Sequence, residues 1–250
     1  MEIHWDRWFD KVYCLWYVPN KARLPRLEKE CRRIDLWECP LFELRKMVPQ
    51  RMESIVLEWS RKQQGGSNYI VAVGNGMENI RVMRESLLMG YERIMVIEDD
   101  ATFLKDKATI VETLDAMPDN FGMIQMDKAV HNNEELSTWN TLLASKRIND
   151  YFVDGSGTSF TLATCNVYTR NGLEKMLEVM ETRMACIDVA TRYIDTEPAI
   201  AIKNLCIQQA YGDMPNKAHK ERAMQRIYEL EGISFGEYAI QEQMKEHTTS

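Results

Sequence analysis

The stretch from residue 69 to residue 100 constrains this chain more than any other. Residues 69–73 (YIVAV) form a short apolar, β-branched run that is expected to be a buried strand. Gly74-Asn75-Gly76 reads as a turn. Residues 78–89 follow as a helix, with Ile80, Met83, Leu87 and Leu88 on one side. Gly90 stands where a helix often closes with a left-handed residue. A second apolar run, residues 93–97 (RIMVI), predicts another buried strand. Strand, helix and strand at this spacing make a βαβ unit, which requires a parallel sheet with helices packed on it.

The rest of the chain can be read to the same pattern. Residues 12–17 (VYCLWY) predict a strand, broken by Pro19 and Asn20, and residues 23–33 a charged helix with Leu24 and Leu27 on one face. Residues 37–61 are ambiguous, with residues 52–59 fitting either helix or strand, and residues 64–67 mark a turn. Helices are expected at 105–117, 171–182, 187–194 and 218–230, and strands at 121–126, 160–168 and 199–202. Residues 127–150 are polar and irregular and read as a long loop. Nothing repeats internally. One α/β domain over residues 1–250 is the economical expectation, with residues 218–250 a terminal helix and tail.

Composition narrows the class. The formal net charge is -7, the reverse of the basic balance usual in duplex binders, so nucleic acid is not favoured as a partner. Residues 1–10 carry Glu2, Asp6 and Asp10 where a signal peptide needs basic residues and an apolar run. No stretch has the roughly 20 apolar residues of a membrane span. The six cysteines form no C-x-x-C pair. These features together predict a cytoplasmic protein with reduced thiols and no transmembrane segment.

The chemistry concentrates at Glu98-Asp99-Asp100. These carboxylates follow the buried run 93–97, at the carboxyl end of a strand, where open α/β sheets bind ligands. Three adjacent carboxylates repel one another unless a cation or hydrogen-bond donors compensate. Hard oxygen ligands suit Mg²⁺ or Mn²⁺, ions that also bind substrate phosphates. If the chain stays extended, Glu98 and Asp100 point to the same side. The plainer alternative is that the triplet opens a loop and caps the next helix.

The neighbouring residues add a resemblance. Residues 74–103, GNGMENIRVMRESLLMGYERIMVIEDDATF, resemble the lipooligosaccharide-type glycosyltransferases of family twenty-five. Gly74, the Gly90-Tyr91 pair and the Glu-Asp-Asp triplet align with that pattern without a gap. Residues 12–23 are similar to the family's first strand and its arginine-bearing turn, which places Arg23 on a matching position. Residues 157–173, Ile187-Asp188 and Gln208 resemble later segments. The chain departs from the pattern at Asn75, where the family has Cys, at Glu78-Asn79, where it has Ser-His, and at Trp16, where it has Asn.

The resemblance implies a Rossmann-like GT-A fold with a mostly parallel sheet. It also implies a nucleotide-diphosphate sugar donor, commonly UDP-linked, a Mn²⁺ or Mg²⁺ ion, and inversion at the anomeric carbon. Carried onto this sequence, Asp100 and Glu98 are the expected metal ligands. Arg23, Asn75, Glu98 and Asp99 are expected to line the donor. Asp188 is the candidate base for the acceptor hydroxyl, with a helix cap as its alternative role. Arg23 could instead be a solvated charge at a helix start. Gln125 and Asp127 either line the acceptor side or satisfy loop backbone. His219 and the basic residues 217–226 read as solvated surface.

The expected acceptor is a glycan or glycolipid. A modified DNA base or a protein as acceptor, and a non-catalytic sugar-nucleotide binder, are the competing readings.

Overall fold

The computed structural model describes residues 1–18, 21, 23–47, 68–128, 130, 133–156, 158, 160, 164–183, 187 and 198–208. Its centre is a seven-stranded sheet. In chain order the strands are β1 (Lys11–Tyr17), β2 (Phe42–Met47), β3 (Arg93–Glu98), β5 (Met123–Gln125), β6 (Phe152–Asp154), β7 (Cys165–Thr169) and β8 (Pro198–Ala201). Two further short strands, β4 (Ala101–Phe103) and β9 (Cys206–Gln208), form an antiparallel pair of their own. The helices are α1 (Arg23–Arg33), α2 (Asn68–Met89), α3 (Lys107–Asp115), α4 (Asn133–Ser145) and α5 (Arg170–Arg183).

The spatial order is β2-β1-β3-β7-β5-β8-β6. β1 is parallel to both β2 and β3, and β5 is parallel to β8. β7 runs antiparallel to β3 and β5, and β6 antiparallel to β8. The protein is thus of the expected α/β class, with a mixed sheet whose 2-1-3 half is that of a doubly wound fold.

Strand alternation puts an apolar set on each face. On one face Val12, Cys14, Met95, Ile97, Ile124 and Val167 pack with Leu27 and Cys31 of α1 and Ile110 and Leu114 of α3. On the other, Tyr13, Leu15, Ile94, Val96 and Tyr168 meet Met83 of α2 and Leu173 and Met176 of α5. Farther along that second face, Trp139 and Leu142 of α4 cover Val153 and Ile200.

Several expectations are corrected. Residues 69–73 are not a strand and residues 74–76 are not a turn: both belong to α2. A short apolar run has no period that separates strand from helix, and its glycines, each costing a helix about 1 kcal/mol, suggested a break. The helix keeps Gly74 and Gly76 buried against the protein. The parallel strand preceding this helix is therefore β2, well upstream. Its end is as expected: Gly90 has φ +75°, and its N–H donates to the Leu87 carbonyl.

Residues 127–150 are not one long loop. They contain α4, whose Leu136, Trp139, Leu142 and Leu143 recur at helical spacing among polar neighbours. The helix expected at 105–117 begins at Lys107 because Asp106 caps it, accepting from the Thr109 N–H at 2.8 Å. That cap belongs to Asp106, so the acidic triplet is not a helix cap. The elements expected at 187–194 and 218–230, the turn at 64–67 and the residues 48–61 lie outside the described residues, apart from buried Ile187.

Candidate active site

The site forms where β3 leaves the sheet. Ile94, Met95, Val96 and Ile97 are fully or almost fully buried, so the strand is held firmly and delivers Glu98-Asp99-Asp100 at its carboxyl end. A turn at residues 99–100 then leads into β4. That turn breaks the extended geometry, so the expected same-side pairing of Glu98 and Asp100 gives way to another. Asp99 and Asp100 converge on one partner, while Glu98 faces α2.

The partner is Arg23, at the start of α1. One guanidinium nitrogen, Nη1, donates to Asp99 Oδ1 at 2.7 Å and to Asp100 Oδ2 at 3.2 Å. Asp99 Oδ2 also accepts from the backbone N–H of Tyr17, the last residue of β1, at 2.9 Å. Both aspartates are about 95% buried, with 5% and 4% of their surface exposed. The parallel pairing of β1 with β3 explains the geometry: it brings the end of β1 and the helix that follows it over the end of β3. Arg23 is thus a partner of the triplet rather than a solvated charge.

The electrostatics follow from burial. Desolvation raises the Asp99 carboxyl above its ordinary value, and Arg23 and the Tyr17 N–H pull it back only in part. Burial tends to lower the Arg23 guanidinium, but Asp100, Asp99 and Glu98 outweigh it and the net shift is upward. Cys14, fully buried on β1, is pushed well above the usual thiol range, first by burial, then by Cys31 and the triplet. It is an inert core thiol, as are the other buried cysteines among the five described, all free.

Glu98 is held on the other side. Asn75 of α2 donates to Glu98 Oε1 at 2.5 Å, and Asn79 donates to Asn75 Oδ1 at 2.5 Å and to the Asn75 carbonyl at 3.0 Å. The two asparagines that depart from the family pattern are therefore a linked pair, one helical turn apart, that orients a carboxylate of the triplet. Because α2 extends back through residues 69–73, these amides project from a helix and not from a turn.

Gln125 and Asp127 serve the backbone. Gln125 Nε2 donates to the Phe160 carbonyl at 3.1 Å, and Asp127 Oδ1 accepts from the Cys165 N–H at 3.0 Å. Asp188, His219 and residues 217–226 lie outside the described residues, and Gln208 is placed only as part of β9. Sequence reading missed the Tyr17 N–H, a backbone donor that no side-chain pattern reveals.

Among the described residues no group of three or more His, Cys, Asp or Glu side chains is arranged to hold a metal. None of the described helices is long and apolar enough to cross a membrane. A cavity of about 590 Å³ lies at the opposite end of the sheet, lined by Asp10, Arg93, Asp119, Gly122, Thr169 and neighbours. It is remote from the carboxylates, and the ligand end of the parallel strands is the better candidate on chemical grounds.

No protein-family model matches the chain, and no curated protein matches it either. Among solved structures it is similar to the apo form of mouse Xyloside xylosyltransferase 1, with a TM-score of 0.35 and 7% identity over 74% of this chain and 80% of that one. It is also similar to A197 from STIV, with a TM-score of 0.37 and 10% identity over 82% of this chain and 97% of that one. Likenesses at these scores carry no argument about function, so the site rests on its own geometry.

Proposed function

We propose that this protein is a glycosyltransferase that takes a sugar from a nucleotide-diphosphate donor, UDP-linked in the first instance, and passes it to a hydroxyl acceptor on a glycan or glycolipid. The observation that carries the reading is the meeting of Asp99, Asp100 and Arg23 over the carboxyl ends of two parallel strands. A guanidinium there offers planar donors to a diphosphate. The carboxylates behind it set its orientation and supply the hard oxygens that a divalent ion requires.

Mg²⁺ or Mn²⁺ fits this donor set in one mode. Asp99 has both oxygens engaged, by Arg23 and by the Tyr17 N–H. Asp100 would hold the ion together with water and donor phosphate, an arrangement in which the protein supplies one carboxylate, since Glu98 is turned toward Asn75. When bound, such an ion would supply stabilisation of charge on a leaving diphosphate. The chain's own tasks are to bind the phosphates through Arg23, to keep Asp100 aligned through the rigid end of β3, and to hold Glu98 through Asn75. Inversion needs a base for the acceptor hydroxyl, and Asp188 is the proposed one.

The test is a panel of nucleotide sugars with Mn²⁺, read by thermal shift and by slow hydrolysis. The expected result is stabilisation by one nucleoside diphosphate and by its sugar conjugates, with hydrolysis of one of them. A folded protein that no member of the panel stabilises or serves as substrate would falsify the reading. An Asp188→Asn variant that binds donor normally and keeps full transfer would remove Asp188 as the base.

A further inference from the structure

A row of residues crosses the middle of the sheet and changes character as it goes. Pairing places Tyr13, Val96, Asn166, Gln125, Ile200 and Val153 side by side on one face. At one end Tyr13 and Val96 pack under α2 and α5; at the other, Ile200 and Val153 pack under α4. Between these two apolar covers the row is polar. One step toward the carboxyl ends, the Glu98 N–H donates to the Thr164 carbonyl at 2.9 Å, so Thr164 stands beside Glu98 as Asn166 stands beside Val96.

Two of these side chains are fully enclosed yet unmatched. Thr164 is 0% exposed and Asn166 is 1% exposed, and among the described residues neither Thr164 Oγ1 nor Asn166 Oδ1 has a hydrogen-bond partner. Leaving a buried polar atom unmatched costs stability, and native proteins seldom tolerate it without a reason. Thr164 immediately precedes β7 and Asn166 is its second residue, so the two lie two positions apart in the chain. They adjoin the Glu98–Asn75–Asn79 chain, where a carboxylate and amide N–H groups already alternate.

A site that mixes acceptors with amide donors does not suit a bare cation, which would be repelled by the N–H groups. It suits hydroxyls, each of which donates and accepts. We infer that Thr164, Asn166 and Glu98 form a recognition pocket for the hydroxyls of the donor, those of its sugar ring or of its ribose. The inference rests on the donor reading given under Proposed function and assigns specificity to a seam of the sheet that the acidic triplet does not include. Ligand hydroxyls complete the two unmatched oxygens, so the pocket is less stable empty than filled.

The test compares wild type with Thr164→Val, Thr164→Ser and Asn166→Leu, by thermal unfolding without ligand and by calorimetric binding of UDP and UDP-glucose with Mn²⁺. Removing an unmatched hydroxyl should leave the ligand-free Tm of Thr164→Val unchanged or on the order of 2 °C higher. The same variant and Asn166→Leu should bind about tenfold more weakly, while Thr164→Ser, which keeps the hydroxyl, should bind nearly as wild type. Weakening seen with UDP itself assigns the ribose, and weakening confined to UDP-glucose assigns the sugar; both support the pocket. A Tm several degrees lower for ligand-free Thr164→Val means that buried water already satisfies the hydroxyl and overturns the inference. Unchanged affinity in both Thr164→Val and Asn166→Leu, with wild type binding the probes, also overturns it while leaving the donor reading intact. If wild type binds neither probe, the UDP-donor reading fails and the inference with it.

Discussion

Two buried charge sites lie at the carboxyl side of this sheet, and they are built on opposite principles. Lys128 follows β5 and is 3% exposed. Its ammonium donates at 2.9 Å to each of three acceptors, the Ala201 and Ile202 carbonyls and Asn204 Oδ1, and lies 4.3 Å from the centre of the Trp139 ring. Asn204 in turn donates to the Lys128 carbonyl at 3.0 Å. An ammonium has three protons to give, and neutral groups take all three. At the end of β3, by contrast, like charges are adjacent and one guanidinium nitrogen is shared between two carboxylates. A saturated charge holds structure together. Crowded carboxylates with a perturbed titration are a pattern that ligand sites share.

The largest effect is expected from Lys128→Met. It strands three acceptors in the interior and should destabilise the fold by about 3–5 kcal/mol, measured by denaturant unfolding. Donor affinity of the protein that remains folded should be unchanged. Lost affinity at retained stability would put Lys128 in the ligand site and erase the contrast.

Asp100→Asn should show the converse. Turnover of the nucleotide sugar is expected to fall by about 10²-fold, in the range for losing one preorganised electrostatic contact. Stability should change by less than about 1 kcal/mol, because a buried like charge is removed along with its partner contact. Unfolding and turnover assays on one preparation check both halves.

Arg23→Met falls between them. It takes the guanidinium from two buried carboxylates, but Arg23 is itself 23% exposed, so the cost should be about 2 kcal/mol, between exposed and buried pairs. Diphosphate binding should weaken in the same variant. If binding is untouched, Arg23 is only a counter-ion.

The smallest effect is a pH dependence. Because the folded state raises the Asp99 carboxyl above its unfolded value, native protein holds that proton more tightly than unfolded chain. The Asp99 contribution to stability is therefore fully present below the ordinary carboxylate range and is lost as pH rises through its folded value. Asp99→Asn should remove that fall, seen as a flatter stability profile just above the ordinary carboxylate range. A profile identical to wild type would mean that Asp99 is not the group responsible.

The local features of this site were legible in the residues themselves. The apolar run before Glu98, the glycine that closes α2 and the helix of residues 23–33 each depend on neighbours within a turn or a strand length. The start of α2 was not legible, since residues 69–73 satisfy both strand and helix and only packing decides between them. α4 was hidden because its four apolar residues are diluted by polar ones on the exposed faces.

Residue order alone gave away the class of fold, the strand that leads into Glu98-Asp99-Asp100 and the chemistry such a cluster invites. Which carboxylates act together was decided only in three dimensions. The Arg23–Asp99 contact joins residues 76 apart, and the Asn166 row exists only because six strands align in register. Short-range patterns are set by the backbone geometry of a few residues. Contacts of long separation depend on how the strands stack, and no local period encodes that order.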